Sequence, residues 1–306
     1  MRVVVVGGVA GGMSAAARLR RRDEGAEIIV LERSKYVSFA NCGLPYYVGG
    51  EIEDPAKLLL HTPQTLKAAL NLDVRISSEV TAIDPGAHSV QVTNTETGED
   101  YTLTYDHLIL SPGGLAVRPP IDGLDSPRVH TLRTVDDALA LREASGTRAV
   151  VLGAGFIGIE AVEALACRGF ETHLVEYAEH VLPPLEVEMT TLVTHELRGL
   201  GVHVHVGVAA QSITHGDDHD AVTLSDGTVL TADVIVLSIG VRPDTAFAEA
   251  AGIETSRGYI LVDEHGRTSV DDVYAVGDGT MGRDHDRPVA LAGPANRGGR
   301  LVADAI

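Results

Sequence analysis

A strand, a glycine-rich turn, a helix and a second strand ending on an acid occur twice in this chain. That repeat limits the folds open to it. Val3 to Val6 is β-branched and continuous, reads as a fully buried strand, and runs into Gly7-Gly8. Ala10 to Arg22, rich in Ala, Leu and Arg, follows as a helix, and Glu27 to Leu31 is a second buried strand before Glu32. Downstream, Arg148 to Leu152, the turn Gly153 to Gly158, a helix from about Ile159 to Cys167 and a strand Glu171 to Val175 before Glu176 repeat the order. Gly153 follows Gly7 by 146 residues and Glu176 follows Glu32 by 144. A near-constant offset marks two copies of one unit, each long enough for a βαβ crossover with parallel strands.

The remaining chain reads as additions to those two units. Glu79 to Ile83, Ser89 to Thr93 and Tyr101 to Thr104 are short strands separated by Pro85-Gly86 and Thr97-Gly98. Tyr105 to Leu110 is a further buried strand running into Ser111-Pro112-Gly113-Gly114, and Pro119 to Gly123 reads as a linker. An apolar strand before Gly277-Asp278 returns the chain to a nucleotide-type turn, and a helix starts near Pro294. The expected fold is α/β: two Rossmann-like three-layer nucleotide-binding domains, one inserted in the other. Residues 1–116 and 239–306 form the first and 117–238 the second, as 306 residues allow.

With 24 basic against 43 acidic residues the net charge is −19, so nucleic acid and anionic membrane surfaces are poor partners. No apolar run approaches the ~18 residues of a membrane span, and Met1 to Val6 lacks the long apolar region of a signal peptide. Two cysteines make no disulfide framework, which points to a reducing cytoplasm.

Gly153-x-Gly155-x-x-Gly158 is a full dinucleotide fingerprint, with Phe156 and Ile157 between its last two glycines. The first glycine permits the turn, the second admits a pyrophosphate and the third lets helix pack on strand. Glu176, at a strand end, suits hydrogen bonds from both ribose hydroxyls and opposes a 2′-phosphate, which favours NADH while leaving NADPH possible. Gly7-Gly8-Val9-Ala10-Gly11-Gly12 is an imperfect copy, with Val9 at the second glycine and Glu32 as its acid. Two nucleotide sites in one chain suggest a flavin plus a nicotinamide.

Cys42 lies in Ser38-Phe39-Ala40-Asn41-Cys42-Gly43-Leu44-Pro45-Tyr46-Tyr47. A free cysteine is by default a small buried hydrophobe. Here Pro45 suits the first turn of a helix, placing Cys42 near a helix N-terminus that favours thiolate. Cys167, in the second fingerprint's helix, reads as core packing, so no internal dithiol is available. The chemistry left to Cys42 is a mixed disulfide, a persulfide or a sulfenic acid.

Asp278 suits either a ribose hydroxyl or a turn cap. Arg18 and Arg22 share a helix face with Ser14, an arrangement that suits either a phosphorylated ligand or a solvated face. His203 and His205 alternate along a strand, but no carboxylate or cysteine completes a ligand spacing and His215 to His219 reads as a polar turn. No metal is expected.

Together the Gly7 to Gly12 turn, Ser38 to Tyr47 and Gly153 to Gly158 resemble the FAD-dependent pyridine nucleotide-disulfide oxidoreductases. Within them the chain is most similar to the coenzyme A-disulfide reductase and NADH-dependent persulfide reductase branch. Ser111-Pro112-Gly113, Ile239 to Pro243, Ala275 to Asp278 and Leu291 to Arg297 belong to the same resemblance. It implies that Gly7, Gly8, Val9, Ala10, Gly11, Gly12, Glu32, Arg33, Gly113, Gly277 and Asp278 hold FAD. It implies that Gly153 to Gly158 and Glu176 hold NADH, that Glu160 lines the nicotinamide side of the flavin, and that Gly240 is a further cofactor-binding position.

Cys42 is then the redox thiol, passing electrons from NAD(P)H through FAD to a coenzyme A disulfide, a persulfide or a related small disulfide. Ser38 and Asn41 contact the thiol substrate, and Ser14, Arg18, Arg22 and Lys67 approach coenzyme A phosphates. The alternatives are an NADH oxidase or peroxidase cycling Cys42 through sulfenic acid, or a flavin-binding electron-transfer or inactive subunit.

Relatives continue past the Ala295-Asn296-Arg297 helix into a dimerisation domain that completes the thiol site in trans, and this sequence stops at Ile306. The expectation is therefore FAD binding with slow turnover or none. Asp244 stands where the family more often has Asn after Arg-Pro.

Overall fold

The computed structural model describes residues 1–306. In chain order its main elements begin with β1 (Arg2–Val6), α1 (Ala10–Arg22), β2 (Glu27–Leu31), α2 (Leu44–Gly49), α3 (Pro63–Leu70) and β3 (Asp73–Arg75). Next come β4 (Ser78–Asp84), β5 (Ser89–Asn94), β6 (Asp100–Thr104), β7 (His107–Leu110), β8 (Val129–His130), α4 (Val135–Glu143) and β9 (Arg148–Leu152). They are followed by α5 (Phe156–Cys167), β10 (Glu171–Glu176), α6 (Val187–Gly199), β11 (His203–Val206), β12 (Ala210–Thr214), β13 (Asp220–Leu224) and β14 (Val229–Ala232). The chain closes with β15 (Val234–Leu237), β16 (Val273–Ala275) and α7 (Ala292–Ala305). No helix is long and apolar enough to cross a membrane.

The chain divides into two compact units, residues 1–39, 59–115 and 242–306, and residues 40–58 with 116–241. In the first, a parallel sheet runs in the order β3-β2-β1-β7-β16. Successive residues of β1 face opposite ways, as strand geometry requires. Val3 and Val5 therefore join Ala15, Ala16 and Leu19 of α1 and Val302 of α7 on one face. Val4 and Val6 join Val90 and Val92 of β5 on the other. Every one of those valines is buried, so a continuous apolar run reads correctly as a two-sided central strand. Close crossing of α1 and α7 depends on small residues, since a Cβ on Gly299 would stand 2.3 Å from the Gly11 carbonyl.

The second unit repeats the plan, with a parallel sheet in the order β11-β10-β9-β15-β8. Val150, Leu152, Ile235 and Leu237 pack against Ile213, Val222, Leu224 and Leu230 of the antiparallel β12-β13-β14. The equivalent antiparallel trio in the first unit is β4-β5-β6. The duplicated βαβ unit thus extends to the whole order of strands. One strand differs: the outermost strand of the first sheet, β16, comes last in the chain, whereas β8 precedes the rest of its sheet.

Two expectations need adjustment. Residues 40–58 group with the second unit instead of lying in a continuous first segment of 1–116, because α2 packs on α4 and α5. The helix expected from Ile159 begins three residues earlier, at Phe156. Gly158 is a poor helix former, yet it sits in the first turn because any larger residue would collide with the turn behind it.

Candidate functional site

The first cradle forms where β1 runs into Gly7. Its φ of +98° is a left-handed conformation that favours glycine, and a Cβ there would meet the Ser111 carbonyl at 2.0 Å. A Cβ on Gly12 would lie 1.9 Å from the Gly7 carbonyl, so both glycines are fixed by space alone. Val9 caps α1 with no side-chain hydrogen bond, which leaves the first amides of the helix to a ligand.

Glu32 is buried at the end of β2 and holds the turn. Its Oε2 accepts from the Gly8 amide at 2.7 Å and its Oε1 from the Ser34 amide at 2.9 Å. A carboxylate has capacity beyond two such bonds, so this anchoring is compatible with a ribose partner. The chain after β16 returns to the same place: the Val276 amide donates to the Leu110 carbonyl, and Gly277, φ +91°, lies against the Ser111 hydroxyl. Half-buried Asp278 follows directly.

The second cradle is built the same way. Gly153 has φ +99°, and a Cβ on Gly158 would lie 1.9 Å from the Gly153 carbonyl. Glu176 Oε2 accepts from the Ala154 amide at 2.7 Å and Oε1 from the Ala178 amide at 2.8 Å, matching the Glu32 bonds position for position. Ser238 Oγ donates to the Leu152 and Gly153 carbonyls at 2.9 and 3.0 Å and closes the turn.

A Cβ on Gly155 would meet nothing within 4 Å, the open approach that a pyrophosphate needs. Gly240, φ +123°, is equally open. Phe156 is exposed and Ile157 half-buried in the first helical turn. Burial, then the like charge of Glu163, raises the Glu160 carboxyl above its usual range. Each cradle therefore fits the pyrophosphate and ribose of a dinucleotide.

Cys42 is exposed in the single turn Asn41–Gly43 that leads into α2. Pro45 does occupy the first turn of α2, although that helix has only six residues. Leu44, Tyr47 and Val48 are buried, and Arg142 of α4 donates to the Val48 carbonyl at 3.1 Å and lies over the Tyr47 ring at 6.0 Å. Gly49 packs on Ala164 of α5. Cys167 corrects the sequence reading: it is the last residue of α5 and is exposed, because that helix buries Ala161, Val162 and Leu165 instead.

Ser38 sits in the first unit with φ +51°, its amide donating to the Gly8 carbonyl at 2.8 Å. Asn41 is exposed in the second unit.

The remaining candidates already have partners. Ser14 Oγ donates to Asn296 Oδ1 at 2.5 Å. Arg18 grips the Asp304 carboxylate through Nε and Nη2 at 2.9 and 3.1 Å, and its hydrogen bond holds that carboxyl below the usual range. Arg22 lies 3.7 Å from the same carboxylate. An anion at this face competes with Asp304, a relation 286 residues long that sequence spacing does not reveal.

Lys67 Nζ donates to Asn71 Oδ1 at 2.7 Å. Arg33 pairs with Asp244, and the Asp244 amide donates to the carbonyl of Gly113, φ +69°. Arg20, within the same basic run, turns inward and donates to the carbonyls of Leu70, Asp23, Glu24, Ala26 and Asn71, a structural duty.

The expectation that no carboxylate completes the histidine pair does not hold, since Glu171 and His173 stand beside His203 and His205 on the neighbouring strand. Glu-x-His and His-x-His share the strand period, but the pairing of those two strands is not written in the local sequence.

Residues 1–299 match the family described as pyridine nucleotide-disulphide oxidoreductase. A protein named NADH oxidase from Methanocaldococcus jannaschii is 31% identical over 91% of this chain and 63% of its own length. A coenzyme A disulfide reductase of Staphylococcus haemolyticus is 32% identical over all of this chain and 70% of its own. The crystal structure of reduced Bacillus anthracis CoADR-RHD superposes with a TM-score of 0.95 at 41% identity, covering 99% of this chain and 56% of that one. The chain thus spans 56% to 70% of the length of these three proteins.

Proposed function

Since the chain belongs to the pyridine nucleotide-disulphide oxidoreductase family, whose members use FAD and NADH, we propose that it is an NADH-dependent disulfide reductase. Its substrate class is a coenzyme A-linked or similar small disulfide or persulfide. The observation that carries this reading is Cys42, an exposed thiol in the Ser38 to Tyr47 loop whose sole companion, Cys167, is also free. With Cys42 and Cys167 both free, this reading makes the electron-accepting step intermolecular. The Cys42 thiolate attacks one sulfur of the substrate disulfide, the S–S bond breaks, and one thiolate leaves while the other half stays as a mixed disulfide. Two electrons and a proton then regenerate the Cys42 thiolate and release the second thiol. Bound FAD supplies two-electron transfer between nicotinamide and thiol chemistry.

The chain's own residues have distinct tasks in this reading. The Gly7 to Gly12 and Gly153 to Gly158 turns bind the two pyrophosphates at helix N-termini. Glu32 and Glu176 orient the riboses while stapling their own turns, and Asp278 accepts from the flavin side chain. Glu160 lines the nicotinamide side. Ser38 and Asn41 position the substrate sulfur. Arg18, Arg22 and Lys67 bind coenzyme A phosphates, with Arg18 exchanging Asp304 for the ligand.

A second reading, oxygen or peroxide reduction through a Cys42 sulfenic acid, is favoured by the Methanocaldococcus relative's name and by the exposure of the thiol. Anaerobic turnover of NADH separates the two. Coenzyme A thiol released in proportion to NADH consumed, on adding coenzyme A disulfide, supports the reductase. NADH oxidation that needs oxygen or peroxide and ignores the disulfide supports the oxidase. A yellow protein that NADH bleaches but that neither the disulfide, oxygen nor peroxide re-oxidises is an electron-transfer or inactive subunit.

A further inference from the structure

At the edge of the second unit's sheet, β10 and β11 run parallel, with His173 opposite His203 and Val175 opposite His205. Side chains alternate along a strand, so Glu171, His173, His203 and His205 rise from one face. The His173 ring stacks on His203 with centroids 4.7 Å apart and on His205 at 5.3 Å. His173 Nδ1 lies 3.0 Å from His205 Nε2, while His173 Nε2 lies 3.8 Å from a Glu171 oxygen. One donor atom from each of Glu171, His173 and His203 falls within 4.8 Å of the others. We propose that Glu171, His173 and His203 form a binding site for a borderline divalent cation of the zinc, nickel or copper class, with His205 orienting His173.

Two features of the cluster fit that use. A His173 Nδ1–H donated to His205 leaves the Nε2 lone pair facing Glu171, the arrangement in which a ligating imidazole is held by a hydrogen bond on its other nitrogen. The donor set is two nitrogens and one carboxylate oxygen, which suits zinc, nickel or copper and offers too few hard oxygens for magnesium or calcium.

Metal–ligand bonds of about 2.0–2.2 Å need the donors to draw closer than 4.8 Å. The two that must swing, Glu171 and His203, are exposed and free to change torsion. Water fills the remaining coordination positions. A cation there would tie the edge strand β11 to β10.

The test uses the whole chain, freed of metal by chelator dialysis and titrated with zinc chloride by calorimetry in parallel with magnesium chloride. The expected result is one zinc equivalent per chain, no magnesium uptake, and a rise in melting temperature with zinc. His203→Ala and Glu171→Gln, both at exposed positions, are expected to weaken zinc at least tenfold. His205→Ala is expected to weaken it about 10–100-fold without changing stoichiometry. Cobalt loading reports the donors directly: ligand-field bands without a thiolate charge-transfer band, unchanged in Cys42→Ser. No stoichiometric zinc uptake, wild-type affinity in both His203→Ala and Glu171→Gln, or a thiolate band lost in Cys42→Ser would each overturn the site.

Discussion

Cys42 and Glu176 carry the sharpest residue predictions. Cys42→Ser removes the nucleophile and leaves both cradles untouched. Disulfide turnover is expected to fall to background, while the variant stays yellow and NADH still bleaches it anaerobically. Turnover similar to wild type would refute the assignment.

In the proposed NADH site the Glu176 carboxylate opposes a 2′-phosphate, and about 1.4 kcal/mol of discrimination already gives a tenfold ratio. Wild-type kcat/KM is therefore expected to favour NADH over NADPH by at least about tenfold. Because Glu176 also accepts from the Ala154 and Ala178 amides, Glu176→Arg is expected to weaken both cofactors while raising the NADPH-to-NADH ratio. Equal kcat/KM values in the wild type would show that this carboxylate does not read the ribose. The glycines and the two acids were readable from sequence because each βαβ unit pairs its two strands side by side, which sets the acid at the end of the second strand against the glycine turn at the end of the first. The Arg18–Asp304 pair and the exposure of Cys167 were not, since each depends on where a distant helix or helix face lies.

Strand positions were readable wherever apolar runs were continuous, as in β1, β2 and β9, and α1 was readable from its run of helix-forming Ala, Leu and Arg. Pairings between strands far apart in sequence were not, and they hold the element-level chemistry. Asp233 precedes β15 and ties it to β9, accepting from the Thr147 and Arg148 amides at 2.9 and 3.0 Å and from Arg148 Nη2 at 2.6 Å.

The Arg148 hydrogen bond leads the causes that bring the Asp233 pKa down to about 2. A carboxyl depressed in the folded state stabilises it above the unfolded pKa near ~3.9, and that contribution is lost as pH falls through the folded value. Asp233→Asn is expected to cost about 2 kcal/mol at pH 7 and progressively less between pH 4 and pH 2, measured by urea unfolding. A cost independent of pH would show that the charge is not what matters. Tyr105 offers the opposite case. Its buried hydroxyl has no hydrogen-bond partner, and desolvation pushes its pKa up to about 12. Tyr105→Phe removes an unpaired polar group and is expected to leave the melting temperature unchanged or higher. A clear drop would reveal a partner for that hydroxyl.

Taken as a molecule, the chain uses one sheet plan twice, apart from where the outermost strand lies in the sequence, and each copy carries its own glycine turn and stapling acid. Each turn is closed by its own backbone: the Gly12 position faces the Gly7 carbonyl and the Gly158 position faces the Gly153 carbonyl, both at 1.9 Å for an added Cβ. A side chain at either position must therefore deform one turn and has no steric reason to deform the other. Gly12→Val is expected to yield folded but colourless protein, because the first turn no longer accepts the flavin nucleotide. Gly158→Val is expected to remain yellow with wild-type flavin content and to be bleached by dithionite but not by NADH. Flavin absorbance per chain, followed by anaerobic titration with each reductant, distinguishes the variants. Loss of flavin from Gly158→Val, with its secondary structure intact by circular dichroism, would mean that the two nucleotide sites are not independent. The assignment of FAD to the first unit and NADH to the second would then have to be abandoned.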